Sequence, residues 1–160
     1  MSQVIIVLVR VFVIVITLGT LAAQVFVIPE LAGELGSLSG IPSATVPYAI
    51  AGIVVGACFE VALLGTWMLL AMVSRDAIFT GSAFRWVDAI IGAALTALVF
   101  VLVFGAHAVL VMQPRLGVPG IGLVVGATVI CGTTFVLLVV VMRGLLRSAT
   151  NLRSELAEVI

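Results

Sequence analysis

Charged side chains are scarce in this chain of 160 residues, and lysine is missing altogether. Only 9% of the residues are charged and 64% are hydrophobic, whereas soluble domains are roughly 25% charged and 45 to 50% apolar. The seven arginines balance the seven acidic residues, so the chain lacks the basic field that attracts nucleic acid. The composition therefore excludes a soluble enzyme domain and predicts an integral membrane protein with no direct nucleic acid binding.

The residue types of metal and redox sites are equally scarce. Two cysteines cannot form the disulfide framework of a small secreted protein, and one histidine excludes a multi-histidine metal or haem site within one chain. The sequence also lacks a phosphate-binding glycine loop, a metal-ligand helix and a serine or cysteine nucleophile with a nearby base. We therefore expect no catalytic residue, no metal and no cofactor, and we predict that the protein is not an enzyme.

Long apolar runs dominate what is present. Four runs exceed the roughly 20 residues that a helix needs to cross a bilayer, at about 4–28, 46–73, 86–112 and 116–142. Backbone polar groups in lipid must be satisfied internally, so these runs are predicted to be helices, the first of them retained rather than cleaved. The expected fold is all-α: one domain, 1–160, forming an antiparallel bundle of four transmembrane helices.

The arginines are distributed unequally between the two sides of these spans. If the amino terminus is cytoplasmic, one side carries six arginines and the other only Arg115. The positive-inside rule then places both termini in the cytoplasm of a multi-pass cell-membrane protein. Of the two outer connections, residues 29–45 are expected to form an irregular loop with a short helical turn at most, and residues 113–119 a tight turn.

Residues 143–160 continue the helical pattern beyond the fourth span. Leu145, Leu152 and Leu156 are spaced by seven and four residues, which places them on one helix face. We predict a cytoplasmic helical extension whose apolar stripe packs on its own subunit or on lipid, or else binds a partner or a second copy of the chain.

Glu60 is the most unusual residue within the spans. It lies near the middle of the second apolar run, where a charge costs on the order of 2.5 to 3.5 kcal/mol or more, so we expect a protonated carboxyl. Its predicted partners are mid-span hydroxyl groups, Thr17, Thr96, Thr128, Thr133 and Thr134. Two interpretations remain open: a structural hydrogen bond between helices, or a proton or cation site.

The other polar residues within the spans can be paired by their expected depth in the membrane, and the glycines indicate where helices pack closely. Arg10 and Asp88 lie near the inner ends of the first and third runs, which predicts an ion pair, while Gln24 and His107 are expected to match near the outer face. The segments Gly52-Ile-Val-Val-Gly56 and Gly122-Leu-Val-Val-Gly126 predict close helix packing.

Residues 72–88, MVSRDAIFTGSAFRWVD, and the carboxyl-terminal LRSELAEVI resemble a family of small bacterial four-span membrane proteins. The family is designated domain of unknown function twenty-nine seventy-five, and its members are often encoded beside a small helix-turn-helix transcription regulator. The resemblance implies a bacterial membrane component of a regulatory pair, and it offers no catalytic residues to transfer.

The sequence thus favours a non-enzymatic regulatory or accessory subunit that acts through protein contacts at the cytoplasmic face, either alone or as a homo-oligomer. A small transporter or proton-coupled carrier centred on Glu60 is the alternative, and a structural subunit of a larger membrane complex is a third possibility.

Overall fold

The computed structural model describes residues 3–73 and 81–158, and for residues 152–158 it describes the backbone only. The described chain is helical, as predicted. Six α-helices are α1 (Gln3–Ala22), α2 (Ile28–Leu38), α3 (Thr45–Val73), α4 (Gly81–His107), α5 (Gln113–Leu116) and α6 (Gly120–Glu158). Short π-helical segments, Ala23–Val27 and Ala108–Met112, join α1 to α2 and α4 to α5. A 3₁₀ turn, Pro42–Ala44, precedes α3.

Four continuous helical stretches in the described residues are long and apolar enough to cross a membrane: Ile6–Leu38, Pro42–Val73, Ser82–Leu116 and Gly120–Asn151. Each contains at least 32 residues, well above the roughly 20 required. The protein is therefore a multi-pass membrane protein, as the sequence predicted.

The connection between the first and second spans differs from the prediction of an irregular loop. The helix continues through Pro29 as far as Leu38, and only residues 39–41 separate it from the 3₁₀ turn. Gly40 provides the positive φ of 68° at this turn. Proline here does not end the helix, because it occupies one of the first positions of α2 and the preceding turn has the wider π hydrogen bonding.

The same combination of a π segment and a proline recurs between the third and fourth spans. Pro114 lies at the start of α5 and directly follows the π segment Ala108–Met112. Gly117, with a φ of 65°, then turns the chain towards α6. The turn between the first two spans and the turn between the last two thus both combine a π segment, a proline and a positive-φ glycine.

Extensive packing joins each span to the next one along the chain. Helices α1 and α2 pack on α3, α3 packs most extensively on α4, and α4 packs on α6. In the part of the chain that the structure describes, no comparably extensive contact joins the first span to the fourth. The spans therefore form a sequential row, and most large apolar side chains remain on its surface, where lipid can solvate them.

Three of the four glycines singled out from the sequence lie at close helix contacts. A Cβ added to Gly52 would lie 2.7 Å from Ile28, one added to Gly56 would lie 2.7 Å from Gln24, and one added to Gly122 would lie 3.2 Å from Gln113. Gly126 has no such neighbour within 4 Å, so it lies at no close helix contact within the described chain.

Other glycines, which the sequence did not single out, form contacts that are equally close or slightly closer. A Cβ at Gly65 would lie 2.7 Å from Ile90, and one at Gly105 or Gly132 would lie 2.6 Å from Val125 or Leu98 respectively. These glycines hold α3 against α4 and α4 against α6. None of the three has another glycine four residues away in the sequence, so the spacing that pointed to Gly52 and Gly56 could not identify them.

Helix α6 is 39 residues long and extends to Glu158. The predicted helical continuation beyond Met142 is therefore present as a helix. Leu145 is 62% exposed, whereas the side chains of Leu152 and Leu156 lie outside the described part of the structure.

Candidate functional site

The principal polar contact between spans joins Gln24 to Glu60. The side-chain amide of Gln24 donates a hydrogen bond of 2.7 Å to Oε1 of Glu60. Gln24 lies in the π segment between α1 and α2, and Glu60 lies one helical turn after Gly56 on α3. Because Gly56 has no side chain, the amide of Gln24 fits against the α3 backbone and reaches the carboxyl group.

The threonine partners predicted for Glu60 are wrong. Thr17 donates its hydroxyl proton to the carbonyl of Val13 at 2.8 Å, and Thr96 donates to Gly92 at 2.9 Å. The three hydroxyl groups of α6 likewise donate to carbonyls four residues earlier: Thr128, Thr133 and Thr134. A threonine in a membrane helix satisfies its hydroxyl within its own helix when no partner is in reach.

The predicted match between Gln24 and His107 is also wrong, and the reason is the length of the first helix. An end of the first span at Ile28 would place Gln24 near the outer face. Since the helix continues to Leu38, Gln24 lies near the middle of the stretch Ile6–Leu38. This places its amide at the depth of Glu60.

His107 instead pairs with Tyr48, which the sequence analysis did not select. The Tyr48 hydroxyl shares a hydrogen bond of 2.8 Å with Nδ1 of His107 and lies 3.3 Å from the Phe104 carbonyl. The rings of Tyr48 and Phe104 meet edge to face at 5.5 Å. These side chains border a cavity of about 340 Å³, lined also by Ile41, Ser43, Ala44, Pro47 and Val103.

The ion pair predicted between Arg10 and Asp88 is wrong, because each residue has a different partner. Asp88 binds Arg143, with Nε of the arginine 2.5 Å from Oδ1 and Nη2 donating to Oδ2 at 3.1 Å. The Arg10 guanidinium lies 5.5 Å from the ring centroid of Trp67. Helix α4 lies between α3 and α6, and α1 packs on α3, so Asp88 faces the fourth span and Arg10 faces the second.

The described residues contain no group of three or more metal-ligating side chains, and Cys58 and Cys131 are free thiols. The chemistry of the pair Gln24 and Glu60 is that of hydrogen bonding and proton exchange at one carboxyl group. Glu60 is half-buried, and its bond to Gln24 fixes the orientation of that carboxyl between α1 and α3.

Residues 31–160 match the model of a family described as protein of unknown function (DUF2975). No curated protein and no solved structure was found to match the chain.

Proposed function

The chain belongs to the DUF2975 family of proteins of unknown function, and from its own geometry we propose that it is a non-enzymatic regulatory or accessory membrane subunit. In this proposal the four spans anchor the protein in the bacterial cell membrane with both termini in the cytoplasm. The carboxyl-terminal part of α6 binds a cytoplasmic protein.

The length of α6 is the observation that supports this proposal. Its 39 residues correspond to about 58 Å of helix, whereas roughly 20 residues are enough to cross the hydrocarbon core. Almost half of α6 is therefore available outside the hydrocarbon. A helical end with leucines at spacings of seven and four residues, Leu145, Leu152 and Leu156, suits a groove on a partner protein.

The partner that we propose is a small helix-turn-helix transcription regulator, the neighbour that the family resemblance implies. A membrane subunit of this kind would hold the regulator at the membrane and so change the amount available to bind DNA. The membrane protein itself would make no contact with nucleic acid.

The proposal is tested by site-specific cross-linking in intact membranes. A photo-reactive amino acid at Leu156 is expected to cross-link to the co-expressed regulator, whereas the same group at Leu123, near the other end of α6, is expected to contact lipid only. The variant L152E/L156E should lose the cross-link from a probe at Leu145, and S154E, which adds charge off the leucine spacing, should keep it.

Unchanged cross-linking in L152E/L156E would show that the leucines do not bind the regulator. Cross-links from Leu156 to lipid alone, or to a second copy of the chain, would equally contradict the proposal. The second of these results would favour a homo-oligomer joined through α6.

A proton-coupled carrier centred on Glu60 is the second candidate, and a comparison of the two hairpins supports it. The segment Ala23 to Leu31, AQVFVIPEL, has a counterpart in Ala108 to Leu116, AVLVMQPRL, in which Val109 occupies the place of Gln24. At Gly122 the second hairpin packs on Val109 and on Gln113, whose side-chain oxygen accepts a 3.0 Å hydrogen bond from the backbone N–H of Gly122, and no carboxyl group takes part. Close hairpin packing therefore does not require the polar pair of the first hairpin.

The carrier hypothesis is tested with purified protein in vesicles. E60Q keeps a side chain that can hydrogen-bond to Gln24 but cannot exchange a proton, so proton flux driven by a pH gradient should disappear while the protein remains folded. Equal flux through E60Q and the unmodified protein, or no flux above empty vesicles through either, would eliminate the carrier.

A further inference from the structure

A cleft at the arginine-rich end of the spans separates the start of α4 from α6. It has a volume of about 270 Å³ and is lined by Phe84 from α4 and by Arg143, Arg147, Thr150 and Asn151 from α6. Neither Gln24 nor Glu60 lines this cleft, and no residue of α6 beyond Asn151 is among its described lining residues. Leu145, which lies two residues from both Arg143 and Arg147, is on the opposite face of α6, so the cleft is also separate from the leucine face proposed to bind a partner.

The spacing on α6 brings the polar groups of the cleft together. Arg143, Arg147 and Asn151 follow one another at intervals of four residues, which places them on one face of the helix. Thr150 lies beside them and donates its hydroxyl proton to the carbonyl of Leu146 at 2.8 Å. Two guanidinium groups and an amide thus line one wall, and the aromatic ring of Phe84 lines the other.

Of the two arginines that line this cleft, only Arg143 is paired with a carboxylate among the described residues. Asp88, one turn after Phe84 on α4, binds Arg143. Among the described residues, no carboxylate lies within 4.0 Å of Arg147. The described charged groups at the cleft therefore sum to one positive charge, which Arg147 carries.

The position of the cleft at the end of the fourth apolar run indicates the class of ligand that it suits. The cleft begins where the fourth apolar run ends, and apolar side chains about one and two turns before it, on the side of α6 that carries Arg147 and Asn151, are open to lipid: Val140 and Leu137 are 46% and 60% exposed. A phosphate group held at Arg147 would leave its acyl chains beside these side chains. Arginine binds phosphate through two parallel N–H donors, and basic pockets between spans are typical sites for lipid headgroups.

We infer that this cleft binds the phosphate headgroup of an anionic phospholipid. Arg147 provides the uncompensated charge, Arg143 provides further N–H donors while it holds Asp88, and Asn151 lines the end of the cleft away from the membrane. Zwitterionic lipids carry the same phosphate but also a positive group, which Arg147 and Arg143 repel, so the cleft selects lipids of net negative charge.

The inference is tested by native mass spectrometry of the full-length protein titrated with phosphatidylglycerol or phosphatidylcholine in detergent. Phosphatidylglycerol is expected to bind with higher affinity, and R147A is expected to weaken that binding about fivefold. D88N should strengthen it, because it leaves Arg143 uncompensated. R85A is the matched control, since Arg85 is an exposed arginine of α4 that lines a different cleft, and it should change the affinity by less than a factor of two.

Three results would overturn the inference. Equal affinity for the two lipids would exclude selection by charge, and an equal effect of R85A and R147A would show attraction to the whole basic surface. Displacement of phosphatidylglycerol by millimolar inorganic phosphate would identify the ligand as a free anion. Circular dichroism of R147A distinguishes loss of the site from loss of fold, and because no partner protein is present, the result is independent of the proposed regulator.

Discussion

The amide of Gln24 donates a 2.7 Å hydrogen bond to the carboxyl group of Glu60, and this bond joins the first two spans of the protein. It forms where α1 passes into a π turn and where Gly56 lets the two helices approach. An unpaired Glu60 would be costly within the membrane, and the neutral amide of Gln24 provides a hydrogen-bond partner for its carboxyl group.

Removal of this hydrogen bond should destabilise the first hairpin measurably. We expect Q24V to lower the free energy of unfolding in mixed micelles by about 0.6 to 1.7 kcal/mol, the range measured for hydrogen bonds between membrane helices. Titration with sodium dodecyl sulfate, followed by circular dichroism, measures this quantity.

The matched control is a double-mutant cycle with E60L. If Gln24 acts through Glu60, Q24V should cost little in the E60L background. An equal cost in both backgrounds would assign the effect to packing of the Gln24 side chain alone.

The contact between Gly65 and Ile90 should tolerate no added methyl group. A Cβ at Gly65 would lie 2.7 Å from Cγ1 of Ile90, so G65A should lower the free energy of unfolding by about 1 to 3 kcal/mol. A Cβ at Gly92 would meet no heavy atom within 4 Å, so G92A should be neutral or stabilising by about 0.5 to 1 kcal/mol.

Unfolding of the double variant G65A/I90A supplies the further check. I90A removes the side-chain atoms that the methyl group of G65A would meet. The losses in free energy of unfolding of the two single variants, added together, should therefore exceed the loss measured for the double variant. Additive losses would show that the two residues do not compete for space.

The pairing of Asp88 can be tested against the alternative partner, Arg10. D88N and R143Q should each lower thermal stability. Because both remove the same ion pair, the stability loss of the double variant should be smaller than the sum of the two single losses. The effect should be small and should decrease at high salt, since the side chains of Arg143 and Asp88 are 39% and 51% exposed.

R10Q provides the control in the same measurement. Arg10 packs on Trp67, so its effect should add to that of D88N. Coupling between R10Q and D88N would contradict the pairing in the structure.

The proposed orientation predicts which surface positions are accessible from outside the cell. In a variant with Cys58 and Cys131 replaced by alanine, a cysteine at Ser37 should react with a membrane-impermeant thiol reagent on intact cells. A cysteine at Ser148 should react only after the membrane is permeabilised. Both positions are exposed in the structure, so the reverse pattern would reverse the topology.

The number of spans and their helical nature could be predicted from the sequence, because both depend on local properties. Apolar runs longer than the bilayer must be helical to satisfy their own backbone groups. For the same reason the helical extension of α6 could be predicted: the residues after Met142 continue the pattern without a proline or another helix-ending signal.

The ends of the spans were less predictable. Proline usually marks the end of a helix, so the sequence predicts that the first span ends at Pro29. The structure instead has a π turn before the proline, and the helix continues through Pro29 to Leu38. The depth predicted for Gln24 is consequently wrong, and with it the match to His107.

The partners of the polar side chains were decided by the tertiary structure alone. Helix α3 is apolar on nearly all sides, so the periodicity of its sequence does not indicate which face meets α1 and which meets α4. Counting residues along the spans indicates that Arg10 and Asp88 lie at a similar depth in the membrane. It does not indicate which helices are neighbours in the row. Because α4 packs between α3 and α6, Asp88 binds Arg143, and Arg10 packs on Trp67.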